Sequence, residues 1–416
     1  MKTRAFTLSL LALASGAALA QSSPTTSSVQ LYGIVDAGIQ HTTGYKGGSI
    51  NALVSGIMDG TRLGFKGNED LGGGWRAVFT LEQRIELDTG KFDNRPFSGS
   101  QLPDRVSKAS LLGLPASLQP VVNAVDAQIG AGVGVNLNDS GFDRQSYVGL
   151  VTPVGAVLLG KQYTLGYEVA ATFDTMQTQS ALAAGQVAAI PSGIDIRTLN
   201  AVQYRIQAAG VTAALMVAAG EGSATTGKLY GAMAIYKNDL FSVGGGYNRR
   251  ENERGKRSLT NFIGGASVKL GPGHVSAEYA TIKDDNPSGL SGLGAALTPQ
   301  IGAGGAALVQ GAFVNAFKQD ARLYHIGYRL ELGVNTVYVA FTRLNDKRPA
   351  NADTDSYGVV YTYALSKRTD INAVAVHFNN KGLGQAAPGQ AGFLGGVTSV
   401  AGADSNTFAL GVRHRF

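Results

Sequence analysis

The residues able to do chemistry are isolated charges placed on alternating positions between apolar neighbours. Arg62 and Lys66 are four apart in Arg62-Leu63-Gly64-Phe65-Lys66, and Arg205 stands between Tyr204 and Ile206. In an extended chain successive side chains point to opposite faces, so Arg62, Lys66 and Arg205 fall on the face opposite their apolar neighbours. His325, Arg329, Arg413 and Arg415 alternate with apolar residues in the same way, and Asp36, Glu82 and Glu278 would oppose them. Such charges break no bonds; their chemistry is the steering of ions and dipoles.

Frames for bond chemistry are missing. The five histidines, His41, His274, His325, His377 and His414, lie in no Gly-x-Ser-x-Gly or His-Glu-x-x-His motif, and the many glycines form no phosphate loop between strand and helix. The absence of cysteine removes thiol nucleophiles, cysteine-bound zinc and iron–sulfur clusters. Neither a cofactor nor a metal is expected, and the chain does not read as an enzyme. The charged knot from Arg249 to Arg257 has mixed signs and reads as a solvated loop, with no nucleic-acid partner.

Composition defines what must position those charges. The 416 residues include 57 glycines but only 15% charged residues, well short of the roughly 25% of a soluble domain. Beyond the N-terminus no apolar run reaches about 18 residues, which excludes helical spans. Residues 1–20 have the three parts of a secretory signal: Lys2 and Arg4, an apolar stretch from Ala5 to Leu13, and Ala18-Leu19-Ala20, leaving 21–416 as one mature domain. Taking Lys2 and Arg4 from the 35 Lys and Arg leaves a surplus of four over the 29 Asp and Glu.

Period-two alternation predicts sixteen strands near 28–41, 61–67, 75–87, 143–151, 156–163, 197–208, 211–220, 229–237, 240–249, 258–270, 274–283, 321–332, 335–344, 356–365, 371–380 and 405–416. Tight turns such as Gly271-Pro272-Gly273 alternate with long connections near 42–60, 88–142, 164–196, 284–320 and 381–404. Short turns on one side and long loops on the other fit an up-and-down barrel crossing a membrane, apolar face to lipid, polar face to an aqueous lumen. Tyr32, Trp75, Tyr147, Tyr204, Tyr247, Tyr279, Tyr328, Tyr357 and Phe416 fit aromatic girdles. The uncharged stretch from Asn286 to Phe317, broken by Pro287, Pro299 and glycines, reads as a flexible external loop.

Several stretches resemble the general porins of Gram-negative outer membranes: Leu31-Tyr32-Gly33, the run from Thr61 to Gly72, Tyr147-Val148-Gly149-Leu150 and Leu159-Gly160-Lys161-Gln162. The run from Tyr363 to Thr369 and the terminal Gly411 to Phe416 are most similar to the β-proteobacterial branch. The resemblance implies an all-β, 16-stranded antiparallel transmembrane barrel with short periplasmic turns, long external loops and an inward-folded third loop. It also implies an outer-membrane homotrimer among lipid and lipopolysaccharide that lets small hydrophilic solutes and ions diffuse passively.

At matching motif positions Arg62, Arg144 and Arg205 would form a basic ladder, joined by Lys66, which parity puts on the same face as Arg62, and faced by third-loop acids. Glu168 and Asp174 are the candidates, with Asp195 a further one; the Pro-Glu-Phe-Gly-Gly-Asp signature of enteric members is absent. Where some relatives carry a wall lysine, this chain has Ile34 and then Asp36. The expectation is a weak anion preference. Terminal Phe416, sharing a face with Phe408, Leu410, Val412 and His414, would be the signal read by the barrel-assembly machinery. Alternatives are a solute-specific channel, a barrel enzyme or an adhesin.

Overall fold

The computed structural model describes residues 27–223, 225–390 and 394–416. The expected signal segment lies outside the described residues. Among the described residues nineteen strands form: β1 (Ser28–Tyr45), β2 (Gly48–Ser55), β3 (Arg62–Gly72), β4 (Trp75–Arg84), β5 (Gln145–Thr152), β6 (Gly155–Tyr163), β7 (Arg197–Ala208), β8 (Val211–Ala218), β9 (Leu229–Lys237) and β10 (Phe241–Glu251). They continue with β11 (Arg257–Leu270), β12 (Gly273–Asp284), β13 (Gln319–Leu332), β14 (Asn335–Asp346), β15 (Thr354–Ala364), β16 (Thr369–Asn380), β17 (Ala386–Gln390), β18 (Leu394–Val397) and β19 (Ser405–Arg415).

Each barrel strand pairs antiparallel with its neighbours, and β1 pairs with β19 from Ile34↔Arg415 to Thr43↔Asn406. The seam continues to the terminus, where the Gly33 and Phe416 backbones exchange two 3.1 Å hydrogen bonds. β2 and β3 both pair with β1 and share one position in the wall, so the barrel has sixteen staves. Closure leaves no strand edge, the condition for a sheet in lipid.

The strand ranges agree closely with the alternation, with one correction at the start. The expected long loop at 42–60 is absent: β1 runs on to Tyr45, turns at 46–47 and returns as β2, and only residues 56–61 leave the wall. Asp36 causes the excursion by accepting the backbone N–H groups of Ile57, Met58 and Asp59 at 2.7–3.0 Å. Asn286 to Phe317 is also corrected. Instead of a flexible loop it contains a helix, Leu293–Phe317, kinked at Gly302. That helix packs its Val309 and Phe313 with Val122 and Val125 of a helix in the second loop. No described helix is long and apolar enough to cross a membrane.

Parity holds along the walls. Val148, Leu150, Leu159, Val202, Ile206, Leu215, Phe262, Ile326, Val339 and Leu410 are exposed outward, while Tyr147, Gln203, Ala214, Glu278 and His325 are buried inward. Two expected girdle residues are corrected: Tyr147 is inward, and Tyr32 points in to donate to Glu82.

The inner face is not polar throughout, as the alternation had implied. From β8 to β16 it carries Ala214, Met216, Leu229, Met233, Ile263, Leu323, Val360, Val374 and Phe378, which form one apolar cluster with the third loop, 164–196. That loop's helix, Leu165–Phe173, lies against β8–β12. Close approach is set by glycine. A Cβ at Gly265 would stand 2.5 Å from the Cβ of Phe173, and one at Gly246 would stand 2.8 Å from Val169. The sixteen staves therefore enclose a lumen partly filled by its own loop.

Replacing Gly265 with valine should force the helix off its seat. Overpacking of this kind costs about 1–3 kcal/mol, so the urea midpoint of the refolded variant in detergent should fall; an unchanged midpoint would mean the seat is not tight.

Candidate functional site

Many of the inward charges gather on the opposite side of the barrel, on β1, β3, β4, β7 and β19, with Arg144 just before β5 and Asp370 at the start of β16. Arg62 and Arg84 are direct cross-strand partners on β3 and β4. Around the 56–61 excursion runs a chain of alternating sign. Arg62 donates to Asp59 at 3.0 Å, Arg413 donates to Asp59 at 2.8 Å and to Asp370 at 3.0 Å, and Arg415 donates to Asp370 at 2.8 Å.

Glu82 centres a second group. It accepts from Arg144 Nε at 2.6 Å and from the Tyr32 hydroxyl at 3.0 Å. Arg144 also reaches the Tyr163 hydroxyl at 3.2 Å, and Arg197 reaches the same hydroxyl at 3.3 Å. The Arg197 guanidinium stands 4.8 Å from the Tyr163 ring centre, and Lys66 Nζ stands 4.1 Å from that of Tyr32. Arg84 donates to Glu86 at 3.2 Å and to Asp143 at 3.5 Å.

Arg62, Lys66 and Arg144 thus meet on one wall. Arg205 does not join them: it faces inward on β7 and is ion-paired with Glu168 of the third-loop helix. Asp174, at the end of that helix, is buried; it accepts the N–H groups of Met176, Thr178 and Ala184 at 2.9–3.1 Å and lies 3.6 Å from His325. Burial pushes its carboxyl above the usual range against the pull of His325 and these donors. Asp195 pairs with Arg250 at 2.9 Å.

Inward His325 and Arg413 are buried, and Glu278 is buried opposite His325 in the β12–β13 register. His325 accepts the Thr175 N–H at Nε2, 3.0 Å, which leaves Nδ1 to donate to Thr342 at 2.8 Å. Phe416 closes the seam with Gly33.

Sequence reasoning passed over Arg84, Arg197, Asp59 and Asp370. Arg84 was legible, being two residues beyond the inward Glu82. Asp59 was not, because it lies in the excursion, where alternation does not apply. No group of three or more His, Asp or Glu among the described residues could hold a metal ion.

A closed barrel with an apolar exterior, a charged inner wall and a loop folded into the bore is the architecture of an outer-membrane channel. The model of the Gram-negative porins matches residues 7–383, and the chain belongs to that family. It is 24% identical over its whole length, and over the whole of the relative, to an outer membrane porin protein of Bordetella pertussis. An anion-selective porin from Comamonas acidovorans superposes with TM-score 0.68 at 21% identity, over 94% of this chain and 100% of that one. The trimer form of OmpT from Vibrio cholerae gives TM-score 0.57 at 12% identity, covering 94% and 100%. The protein is an outer-membrane porin.

Asp36→Ala would leave three buried N–H groups unmade, at about 1–3 kcal/mol each; proteolysis at 56–61 should accelerate in the folded barrel, and unchanged cleavage would argue against this anchor. Burial would raise the Asp59 carboxyl, but Arg413, Arg62 and Arg415 outweigh it and hold it below the usual range. Its contribution is therefore complete above about pH 3.9 and is lost as the pH falls through the depressed folded value. Asp59→Asn should lower the urea midpoint at pH 7, and the gap from the unsubstituted protein should close only in stronger acid.

Proposed function

We propose that the barrel is a passive diffusion pore for small hydrophilic solutes and ions, weakly preferring anions. Its constriction lies between the third loop and the wall bearing Arg62, Lys66 and Arg144, with Arg205 and Glu168 bridging wall and loop. The observation that carries this reading is the division of the inner surface: the loop is seated on the apolar staves β8–β12, and the charged staves face the remaining space. Fixed charge in a bore of low-dielectric walls excludes apolar solutes and biases ion entry. The anion selectivity named for the Comamonas acidovorans porin supports the sign.

The working form is a homotrimer, supported by the trimer form of the OmpT relative and by small outward residues such as Ala37 on β1. Its surroundings are outer-membrane lipid and lipopolysaccharide, and Phe416 serves the barrel-assembly machinery as its recognition residue. Family membership and the lack of a nucleophile–base frame in the sequence both favour a channel over a barrel enzyme.

Folded protein in a planar bilayer should give large openings in steps of three, with a reversal potential of anion-preferring sign under a salt gradient. Inserted protein that does not conduct would overturn the pore reading, and single steps would overturn the trimer.

A further inference from the structure

Within that porin reading, the inward cations fall into two groups by what neutralises them. Arg62 and Arg144 are buried, with side chains 7% exposed, and are ion-paired to Asp59 and Glu82. Arg413 is spent on Asp59 and Asp370, Arg84 on Glu86 and Asp143, and the more accessible Arg205 on Glu168. A buried ion pair presents a short dipole to a passing solute, and its field falls off faster than that of a single charge.

Lys66 and Arg197 differ on each count. Both are partly exposed, and neither has a carboxylate within 4.0 Å among the described residues. Each is held instead over a tyrosine face, Lys66 over Tyr32 and Arg197 over Tyr163. A ring fixes a cation through its quadrupole without cancelling its charge. The two rings also have their hydroxyls engaged, Tyr32 on Glu82 and Tyr163 under Arg144 and Arg197.

We infer that Lys66 and Arg197 are the residues that set the anion preference, and that Arg62, Arg144 and Arg205 are positioning residues whose charge is consumed in holding the excursion, the wall and the third loop in place. The ligand class follows from the chemistry: small hydrated anions, carboxylate or phosphate included, that exchange between two partly exposed cations with no carboxylate within 4.0 Å of either among the described residues.

The test uses folded protein in planar bilayers, with reversal potentials under a potassium chloride gradient. Lys66→Gln and Arg197→Gln should each lower the anion-to-cation permeability ratio by roughly two-fold, the effect on both ion signs of one unit charge at about 8 Å across water, screened over a Debye length of about 8 Å. The pair together should bring it near unity, and Arg197→Lys should retain it. The paired substitution Glu168→Gln with Arg205→Gln, which removes one charge of each sign, should leave the ratio unchanged while altering conductance. Equal ratios in the Lys66 and Arg197 variants and the unsubstituted channel would overturn the assignment, as would a shift in the Glu168/Arg205 variant as large as theirs. A channel that conducts but shows no ion preference before substitution also overturns it and leaves the pore reading standing; inserted protein that never conducts overturns the pore reading itself.

Discussion

The structure depends on one constraint: within lipid each backbone N–H and C=O must find its partner in the chain. The pairing of β1 with β19 meets it, and closure imposes the rest. Once the sheet closes, every strand has one face to lipid and one to the bore, and every charge within the membrane must go inward. Sixteen strands bring in more charge than the bore can leave unpaired. The alternating chain Arg415, Asp370, Arg413, Asp59 and Arg62 is the direct result.

How much was legible follows from how local each cause is. Strand ranges and the inward direction of Arg62, Lys66 and Arg205 follow from parity alone, a property of any extended chain. The excursion at 56–61 was not legible because it depends on Asp36 reaching across to three amides some twenty residues on. The kinked helix Leu293–Phe317 was hidden because Pro299 and its glycines argue against helix locally, and its apolar contacts with the second loop outweigh that preference. Tyr32 and Tyr147 show the limit of composition: an aromatic at a strand end reads as a girdle residue until its parity is fixed by its neighbours.

The candidate site was half visible. Residue types and parity place cations on the wall, yet which cation keeps its charge is decided by acids distant in sequence: Asp370 and Glu82 meet arginines 43 and 62 positions away. The apolar inner face of β8–β16 was likewise misread as polar, although Val374 and Val376 alternate with the outward Ala373 and Ala375 in a run with little polarity on either side. A continuous apolar run in a barrel stave marks a surface covered from within, here by the third loop.

The alternating chain around the excursion has a further meaning. Arg413 and Arg415 belong to the last stave, Arg62 to the first hairpin, and Asp59 to the excursion between. These paired side chains therefore tie the first and last staves of the barrel together. Assembly has first claim on Arg62 and Arg413, whose charge is spent in these pairs, so a lineage that altered either would loosen the seam. Drift is left freest at Lys66 and Arg197, cations held by rings rather than by the seam, where a pore can change its taste without unfastening its wall.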